Sequence, residues 1–206
     1  MSLEEQINDK KSLIVKQIRE VAEIFGYETR NKYIIETEDG DHFGNAEESG
    51  SGWFGFFIRQ FLGHFRSFDI VLEDRSRNTY IANYPFRFYF NELIVNDSLG
   101  KTIGKIKKKF TFFKRRFEIT DPNDNAIFII NSNFTQFWTF EAIKTDALGK
   151  DSIIGKIEKK WSGILKEAFT DGDKFKVSFI TNDKKEKILI LMSALLIDLL
   201  YFEKKS

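Results

Sequence analysis

Near its end the chain reads Ile188-Leu189-Ile190-Leu191-Met192-Ser193-Ala194-Leu195-Leu196-Ile197-Asp198-Leu199-Leu200-Tyr201-Phe202. A helix that spans a bilayer needs about 20 apolar residues, whereas this stretch is shorter and contains Asp198. It is apolar on every face, which is typical of a helix buried all round and not of a surface helix. We therefore expect residues 187–203 to form a helix inside a folded domain. The preceding Asp183-Lys184-Lys185-Glu186 has the spacing of a capping box that opens it.

Composition limits the class of protein. A chain of 206 residues fits a single domain, 1–206, with a substantial core. The 32 basic and 31 acidic residues nearly balance, so no global field favours nucleic acid as a partner. The 23 Phe and only two Pro favour β-sheet.

Two absences in the sequence bear on membrane attachment. The chain has no cysteine, which excludes disulfides, thiolate metal sites, cysteine catalysis and palmitoylation. The N-terminus lacks the apolar region of a signal peptide, and Ser2 stands where myristoylation needs glycine. We therefore expect a cytoplasmic protein without a covalent lipid anchor.

The remaining segments alternate between short apolar runs and turn residues. At the start, apolar residues recur at helical spacing and predict an amphipathic helix over residues 3–25, closed by Gly26. The spacing of the β-like runs that follow indicates an antiparallel barrel or a sandwich. The runs are Tyr33–Thr37, Phe68–Glu73, Thr79–Ala82, Arg87–Val95, Thr102–Lys109, Phe112–Thr120, Ala126–Asn131, Phe137–Lys144, Ser152–Lys160 and Lys174–Thr181.

One motif occurs twice. Leu99-Gly100-Lys101-Thr102-Ile103-Gly104-Lys105-Ile106 recurs as Leu148-Gly149-Lys150 followed by Ile154-Gly155-Lys156-Ile157. Two copies at this distance do not make a solenoid, and they indicate two similar β-meanders within one barrel. The same alignment places residues 170–173 opposite the turn at residues 120–124.

A longer stretch carries a family resemblance. It reads Gly155-Lys156-Ile157-Glu158-Lys159-Lys160-Trp161-Ser162-Gly163-Ile164-Leu165-Lys166-Glu167-Ala168-Phe169-Thr170-Asp171-Gly172-Asp173-Lys174-Phe175. This resembles the signature segment of the phospholipid scramblases, a family related to the tubby-like and LURP-one-related proteins. Residues 26–33 and 196–203 are also similar to segments of that family. The resemblance implies a mainly β, closed antiparallel barrel of twelve strands, threaded by a hydrophobic C-terminal helix.

The resemblance also implies a function. Scramblases move phospholipids between leaflets in both directions without ATP, and some are stimulated by calcium. Two features of the family are missing here, since the sequence has no proline-rich N-terminal extension and reads Tyr84-Pro85-Phe86-Arg87-Phe88-Tyr89-Phe90 where relatives carry a palmitoylated cysteine cluster. The alternatives to scrambling are a peripheral phospholipid-binding or membrane-sensing module at the inner face of the membrane, and a non-membrane adaptor. The adaptor hypothesis rests on Gly155–Ile164, which overlaps a segment that resembles a nuclear-import signal in some family members. The alternative is that its Lys156, Lys159 and Lys160 lie along a strand.

The family's proposed calcium segment implies a set of candidate ligands in this chain. An EF-hand loop has Gly at its sixth position and Glu at its twelfth, where this chain has Lys176 and Asn182. Asp is also common in β-turns, so a turn followed by a strand is the alternative to a weak calcium site. The candidates are Asp171, Asp173, Phe175, Val177, Phe179 and Asn182.

Two other segments are candidates for membrane contact. The first follows Ser49-Gly50-Ser51-Gly52 and has the pattern of an interfacial amphipathic helix, although such a helix also packs on a barrel wall. Its candidate contacts are Trp53, Phe54, Phe57, Phe61 and Phe65. The second is cationic, and it is suited either to anionic headgroups or to protecting a solvated strand edge. Its candidates are Lys105, Lys107, Lys109, Arg115 and Arg116, brought together by a hairpin at Phe110–Phe112.

The remaining polar residues give little chemistry. Asp198 lies within the apolar helix and must be paired, hydrogen-bonded or protonated. Within a barrel we expect it to make a polar contact near the rim, and within lipid it is a functional candidate. The two histidines, His42 and His64, lie in or beside Gly-containing stretches, and no nucleophile elbow, phosphate loop or zinc spacing occurs. We therefore expect a lipid-handling protein and not an enzyme.

Overall fold

Twelve antiparallel strands form a closed barrel in which each strand pairs with its neighbours in sequence and β12 closes on β1. The structure is a computed structural model that describes residues 3–18, 31–49, 67–85, 92–132, 135–160 and 171–202, without the side chains of residues 171 and 172. A short helix, α1 (Leu3–Asn8), precedes the barrel, and a long one, α2 (Lys184–Tyr201), follows it. The strands are β1 (Ser12–Ile18), β2 (Lys32–Glu36), β3 (His42–Ser49), β4 (Phe68–Asp74), β5 (Thr79–Tyr84), β6 (Glu92–Asn96), β7 (Thr102–Lys109), β8 (Arg116–Thr120), β9 (Ala126–Ser132), β10 (Thr139–Thr145), β11 (Asp151–Lys160) and β12 (Asp171–Phe179).

Helix α2 fills the barrel, as its apolar faces predict. All residues from Glu186 to Leu200 are buried, and they pack against the alternate, inward-facing residues of the strands in one hydrophobic core. The predicted cap is present, because the Asp183 side chain accepts a hydrogen bond from the backbone N–H of Glu186 at 3.0 Å. The helix begins at Lys184, three residues before the predicted start.

The repeated motif has a packing explanation in this barrel. Gly104 and Gly155 are its two equivalent glycines, and both face α2. A Cβ atom on Gly155 would lie 2.8 Å from Cδ1 of Ile190, and one on Gly104 would lie 3.0 Å from both Cδ atoms of Leu189. Each copy of the motif therefore places a glycine, which has no side chain, where the barrel wall contacts α2.

The barrel has two different ends. At the short-turn end, the turns at 37–41, 74–78, 97–101, 121–125 and 146–150 share one hydrogen-bond pattern. In the repeat, Asp97 Oδ1 accepts from the backbone of Leu99 and Lys101, and Asp146 Oδ1 accepts from Leu148 and Lys150. Gly100 and Gly149 both have φ of +78°, which glycine adopts without strain. The opposite end, where β1, β3, β5, β7, β9 and β11 finish, carries the longer connections and is called the long-connection end below.

Helix α1 closes the short-turn end. Leu3 and Ile7 are fully buried, and the last carbonyl groups of this segment accept hydrogen bonds from Lys187 Nζ in the first turn of α2. The distances are 3.3 Å from Ile7, 2.6 Å from Asn8 and 2.9 Å from Lys10. Burial holds the pKa of Lys187 below its ordinary value. One buried cation thus joins both helices.

The predicted N-terminal helix over residues 3–25 is wrong in extent. The helix ends at Asn8, and residues 12–18 form β1, which pairs with both β2 and β12. Leu13 and Val15 are buried with period two, so the alternation of a strand prevails over the helical spacing of the isoleucines. Strand β3 was not predicted, because Gly44 and Glu48 occupy buried positions and interrupt the apolar half of its alternation.

Candidate functional site

The predicted cationic residues lie on the β7–β8 hairpin, and the side chains of the hairpin and its surroundings form three groups. Lys105, Lys107, Lys109 and Arg116 share the outer face of the wall, where Lys109 is paired directly with Arg116. The predicted hairpin is therefore present. Its loop is longer than expected, since β8 begins at Arg116 and residues 112–115 are not part of the strand.

The first group consists of neutralised cations on the outer wall. Asp124 Oδ1 lies 2.8 Å from Lys105 Nζ and 2.7 Å from Lys107 Nζ, and Lys109 Nζ lies 2.6 Å from Glu118 Oε2. Hydrogen bonds from the two lysines lower the pKa of Asp124 to about 2. These lysines are therefore partly engaged within the protein, and no strand edge is present here because β7 pairs with both β6 and β8.

The second group surrounds the C-terminus of α2. Arg115 lies 4.3 Å from the centre of the Tyr201 ring, Lys108 Nζ lies 5.0 Å from it, and Lys159 Nζ lies 4.2 Å from the centre of the Phe202 ring. Helix α2 has no basic residue in its last turn, so the barrel supplies the cations that its C-terminal dipole favours. Arg115 is therefore directed into the barrel mouth and not onto the outer wall.

The pKa values of two residues in the barrel mouth reflect their burial. Burial, with the nearby Arg115, lowers the pKa of Lys108 below its ordinary value. Burial also raises the pKa of Tyr201 to about 12. Within the described part of the chain, the buried Nη1 of Arg115 has no hydrogen-bond partner.

The third group is the loop that joins β7 and β8, which was predicted only as a turn between the two strands. Phe110, Phe112 and Phe113 are 87%, 86% and 81% exposed, and the rings of Phe110 and Phe112 meet edge to face with centroids 5.3 Å apart. Phe137 and Trp138, in the β9–β10 connection at the same end, are 55% and 39% exposed. The signal was present in the sequence, because residues 108–116 read Lys-Lys-Phe-Thr-Phe-Phe-Lys-Arg-Arg.

The proposed calcium segment follows a single strand. Asp171 and Asp173 lie in β12 and not in the predicted turn, and Asp173 Oδ2 lies 2.7 Å from Lys159 Nζ. Phe175, Val177 and Phe179 face the core, while Asn182 follows the strand at the opposite end. A strand rises about 3.3 Å per residue, so these six residues do not converge on one ion. Among the described residues, no three acidic or histidine side chains cluster as metal ligands.

Asp198 lies on α2 and is 1% exposed. Its Oδ2 accepts a hydrogen bond of 2.8 Å from Tyr33 Oη, at the start of β2. Another buried pair lies between Asn31, which precedes β2, and β3, where Asn31 Nδ2 donates to Glu48 Oε2 at 2.8 Å. Tyr33 thus supplies the polar contact that a buried carboxylate requires.

Two other predicted segments are the aromatic membrane-contact segment and the segment that resembles an import signal. Trp53, Phe54, Phe57, Phe61 and Phe65 lie outside the described residues, between strands β3 and β4. Lys156 and Lys159, in the segment that resembles an import signal, lie in β11 and form ion pairs with Glu158 and Asp173. No helix in the described ranges combines the length and apolarity that crossing a membrane requires.

Comparison with known proteins identifies relatives along almost the whole chain. The Scramblase family model matches residues 2–204. Human phospholipid scramblase family member 5 is 27% identical over 202 residues, which are 93% of this chain and 73% of that protein. Human phospholipid scramblase 2 is 26% identical over 203 residues, with coverage of 93% and 67%, and mouse phospholipid scramblase 1 is 26% identical over 204 residues, with coverage of 93% and 61%. No solved structure matches the chain.

Proposed function

Because this chain belongs to the scramblase family, we propose that it acts on phospholipids at a membrane surface and moves them between leaflets in both directions without ATP. The observation that carries the proposal is the family match over residues 2–204, together with relatives named phospholipid scramblases that cover 93% of the chain. The expected class is a lipid translocator and not an enzyme that breaks or forms covalent bonds.

The β7–β8 hairpin supports an anionic membrane as the partner. Residues 105–116 contain basic but no acidic side chains. Lys114 and Arg116 are exposed, and a basic residue near an anionic leaflet contributes about 1 kcal/mol to binding. Within the described part of the chain, neither of these two residues forms an ion pair. The hairpin therefore offers free positive charge in addition to the lysines held by Asp124 and Glu118.

The filled barrel restricts how lipid movement takes place. Helix α2 is buried from Glu186 to Leu200, so its side chains occupy the space through which a headgroup would pass. A headgroup must then move over the outside of the barrel or along lipid that the protein disturbs. The same observation favours a second candidate, a peripheral phospholipid-binding module without translocation activity.

A vesicle assay separates the two candidates. Purified protein is reconstituted into vesicles that contain fluorescent phospholipid in both leaflets, and dithionite is added to quench the outer leaflet. Scrambling predicts quenching well beyond the half that protein-free vesicles show. Quenching that stays near half, by protein that floats with the vesicles, rejects translocation and leaves the binding module.

Calcium stimulation is a separate proposal, and it comes from the family resemblance. The described residues do not form a calcium cage, so no step is assigned to the ion. The assay is repeated with calcium and with a chelator, for the wild type and for Asp173→Asn. A rate that rises with calcium supports stimulation, and an equal rise in Asp173→Asn places the responsive site elsewhere. Equal rates with and without calcium reject it.

A further inference from the structure

The tip of the β7–β8 hairpin combines exposed aromatic rings with flanking cations. Each of Phe110, Phe112 and Phe113 exposes more than four fifths of its surface, which is unusual for large apolar side chains grouped on one short loop. Lys109 precedes the rings in the chain, and Lys114 and Arg116 follow them. The aromatic group therefore stands at the tip with a basic collar behind it.

The position of this tip suits a flat partner. The loop lies at the long-connection end, where Phe137 and Trp138 add further exposed aromatic surface. Aromatic side chains are enriched where a protein meets the boundary between lipid headgroups and acyl chains. Apolar insertion together with a basic patch provides the two signals that stable peripheral binding requires. This matters particularly in a chain without cysteine, which has no palmitoylation site.

We propose that the β7–β8 loop inserts Phe110, Phe112 and Phe113 into the headgroup–acyl boundary of an anionic bilayer, so that the barrel docks by its long-connection end. The proposal rests on the proposed action at a phospholipid membrane and names its contact site. Charge complementarity identifies the occupant, because the exposed cations Lys114 and Arg116 of this collar match lipid phosphates and anionic headgroups. The barrel axis is then steeply inclined to the plane of the membrane, and the short-turn end faces water.

A fluorescent probe tests where the protein enters the bilayer. Because the sequence has no cysteine, a single introduced thiol is labelled uniquely. Thr111→Cys places an environment-sensitive dye in the loop, and Leu148→Cys places it at the short-turn end, where Leu148 is 93% exposed. With vesicles of phosphatidylcholine and phosphatidylserine, we expect a blue shift and lipid-quencher contact for Thr111→Cys only. A shift at both sites, or at neither, overturns the proposal.

Substitution of the rings tests whether they supply affinity. The variant Phe110→Ser, Phe112→Ser, Phe113→Ser is compared with Leu99→Ser, Leu148→Ser, which removes apolar side chains of comparable exposure from the other end. We expect the loop variant to lose at least about tenfold in vesicle partitioning, and the control to be unchanged. Equal thermal unfolding temperatures for both variants and the wild type exclude a folding defect. Unchanged partitioning of the loop variant overturns the proposal, and so does an equal loss in the control.

The two proposals fail in different ways. If the wild type binds vesicles through the loop but does not scramble, the scramblase activity is rejected and the docking site stands. If the wild type scrambles and the loop variant binds normally, docking through the loop is rejected and the activity stands. A loop variant that keeps lipid binding but no longer captures a protein partner assigns the loop to that partner and also rejects bilayer docking.

Discussion

The short-turn end and the long-connection end of the barrel differ in how their polar and apolar groups are used. At the short-turn end, aspartate side chains satisfy the backbone of successive turns, and Lys187 satisfies the carbonyl groups that follow α1. At the long-connection end, cations collect over Tyr201 and Phe202, and three phenylalanine rings remain exposed. The polar groups at the short-turn end thus stabilise the fold, while the long-connection end leaves aromatic side chains exposed. Stability and membrane contact should therefore respond to different substitutions.

The largest effect is expected for the helix that joins the two ends. Leu195 is fully buried in α2, and Leu195→Ala leaves a cavity that lowers the free energy of unfolding by about 2–5 kcal/mol. Urea unfolding measures this loss, with Leu99→Ala, at a site that is 91% exposed, as the control. Vesicle partitioning of the folded Leu195→Ala protein should be unchanged. A large loss of partitioning would show that the interior and the surface function are coupled.

An intermediate effect is expected at the closed end. Lys187→Met keeps an apolar stem but removes the donors to Ile7, Asn8 and Lys10, and it should lower the free energy of unfolding by about 1–3 kcal/mol. Lys185→Met, an exposed site in the same helical turn, is the matched control. Hydrogen exchange should increase in α1 for Lys187→Met alone. Unchanged exchange there would mean that apolar packing by Leu3 and Ile7 closes the end unaided.

The smallest effect is expected for Asp124, which pairs with two lysines on the outer face of β7. Asp124 holds Lys105 and Lys107 toward the short-turn end, and Asn tolerates its φ of +69°. Asp124→Asn should increase binding to anionic vesicles by less than about fivefold, since a basic residue at the surface itself contributes about 1 kcal/mol. Salt titration checks the result, because an electrostatic gain must disappear at high ionic strength. A gain that persists at high salt would have another cause.

The substitution Asp124→Asn should also change how the stability of the protein depends on pH. The pKa of Asp124 is about 2 in the folded protein, against an ordinary value of 3.8. Its carboxylate therefore contributes stability above the unfolded-state pKa, and this contribution is lost as the pH falls through the folded-state value. Acid unfolding of Asp124→Asn should lack this part of the wild-type dependence.

The sequence predicted the core more reliably than the surface. The all-round apolarity of Ile188–Phe202 predicted a buried helix, and alternation predicted β7 with its observed bounds, because burial restricts which residues a position accepts. Strand β1 was mistaken for helix, since Ile7, Ile14 and Ile18 have helical spacing, whereas β1 buries Leu13 and Val15 and pairs with both β2 and β12. The sequence pattern therefore predicted the buried helix α2 more accurately than it predicted strand β1 of the barrel wall.

The candidate site was predicted in part. The basic residues were found from their density, but their partners Asp124 and Glu118 come from other segments, and only the fold brings them together. Arg115, in the loop, contacts the Tyr201 ring, while Arg116 begins β8 on the outer face, which a count of charges does not show. The three phenylalanines were overlooked because the same residue type fills the core elsewhere in this chain. Exposure, and not identity, distinguishes them.

The closure of the barrel has a consequence for how the chain acquires its structure. The seam pairs Ser12 with Ser178, and α2 follows it as the last described element. During synthesis the wall cannot close, and its interior cannot be filled, until the residues of β12 and α2 have left the ribosome. Pairings this distant in sequence make folding slow, and the apolar inner faces of the early strands stay open throughout. Closure therefore comes after the synthesis of β12 and α2, and the unfinished sheet is the stage most exposed to aggregation or chaperone binding.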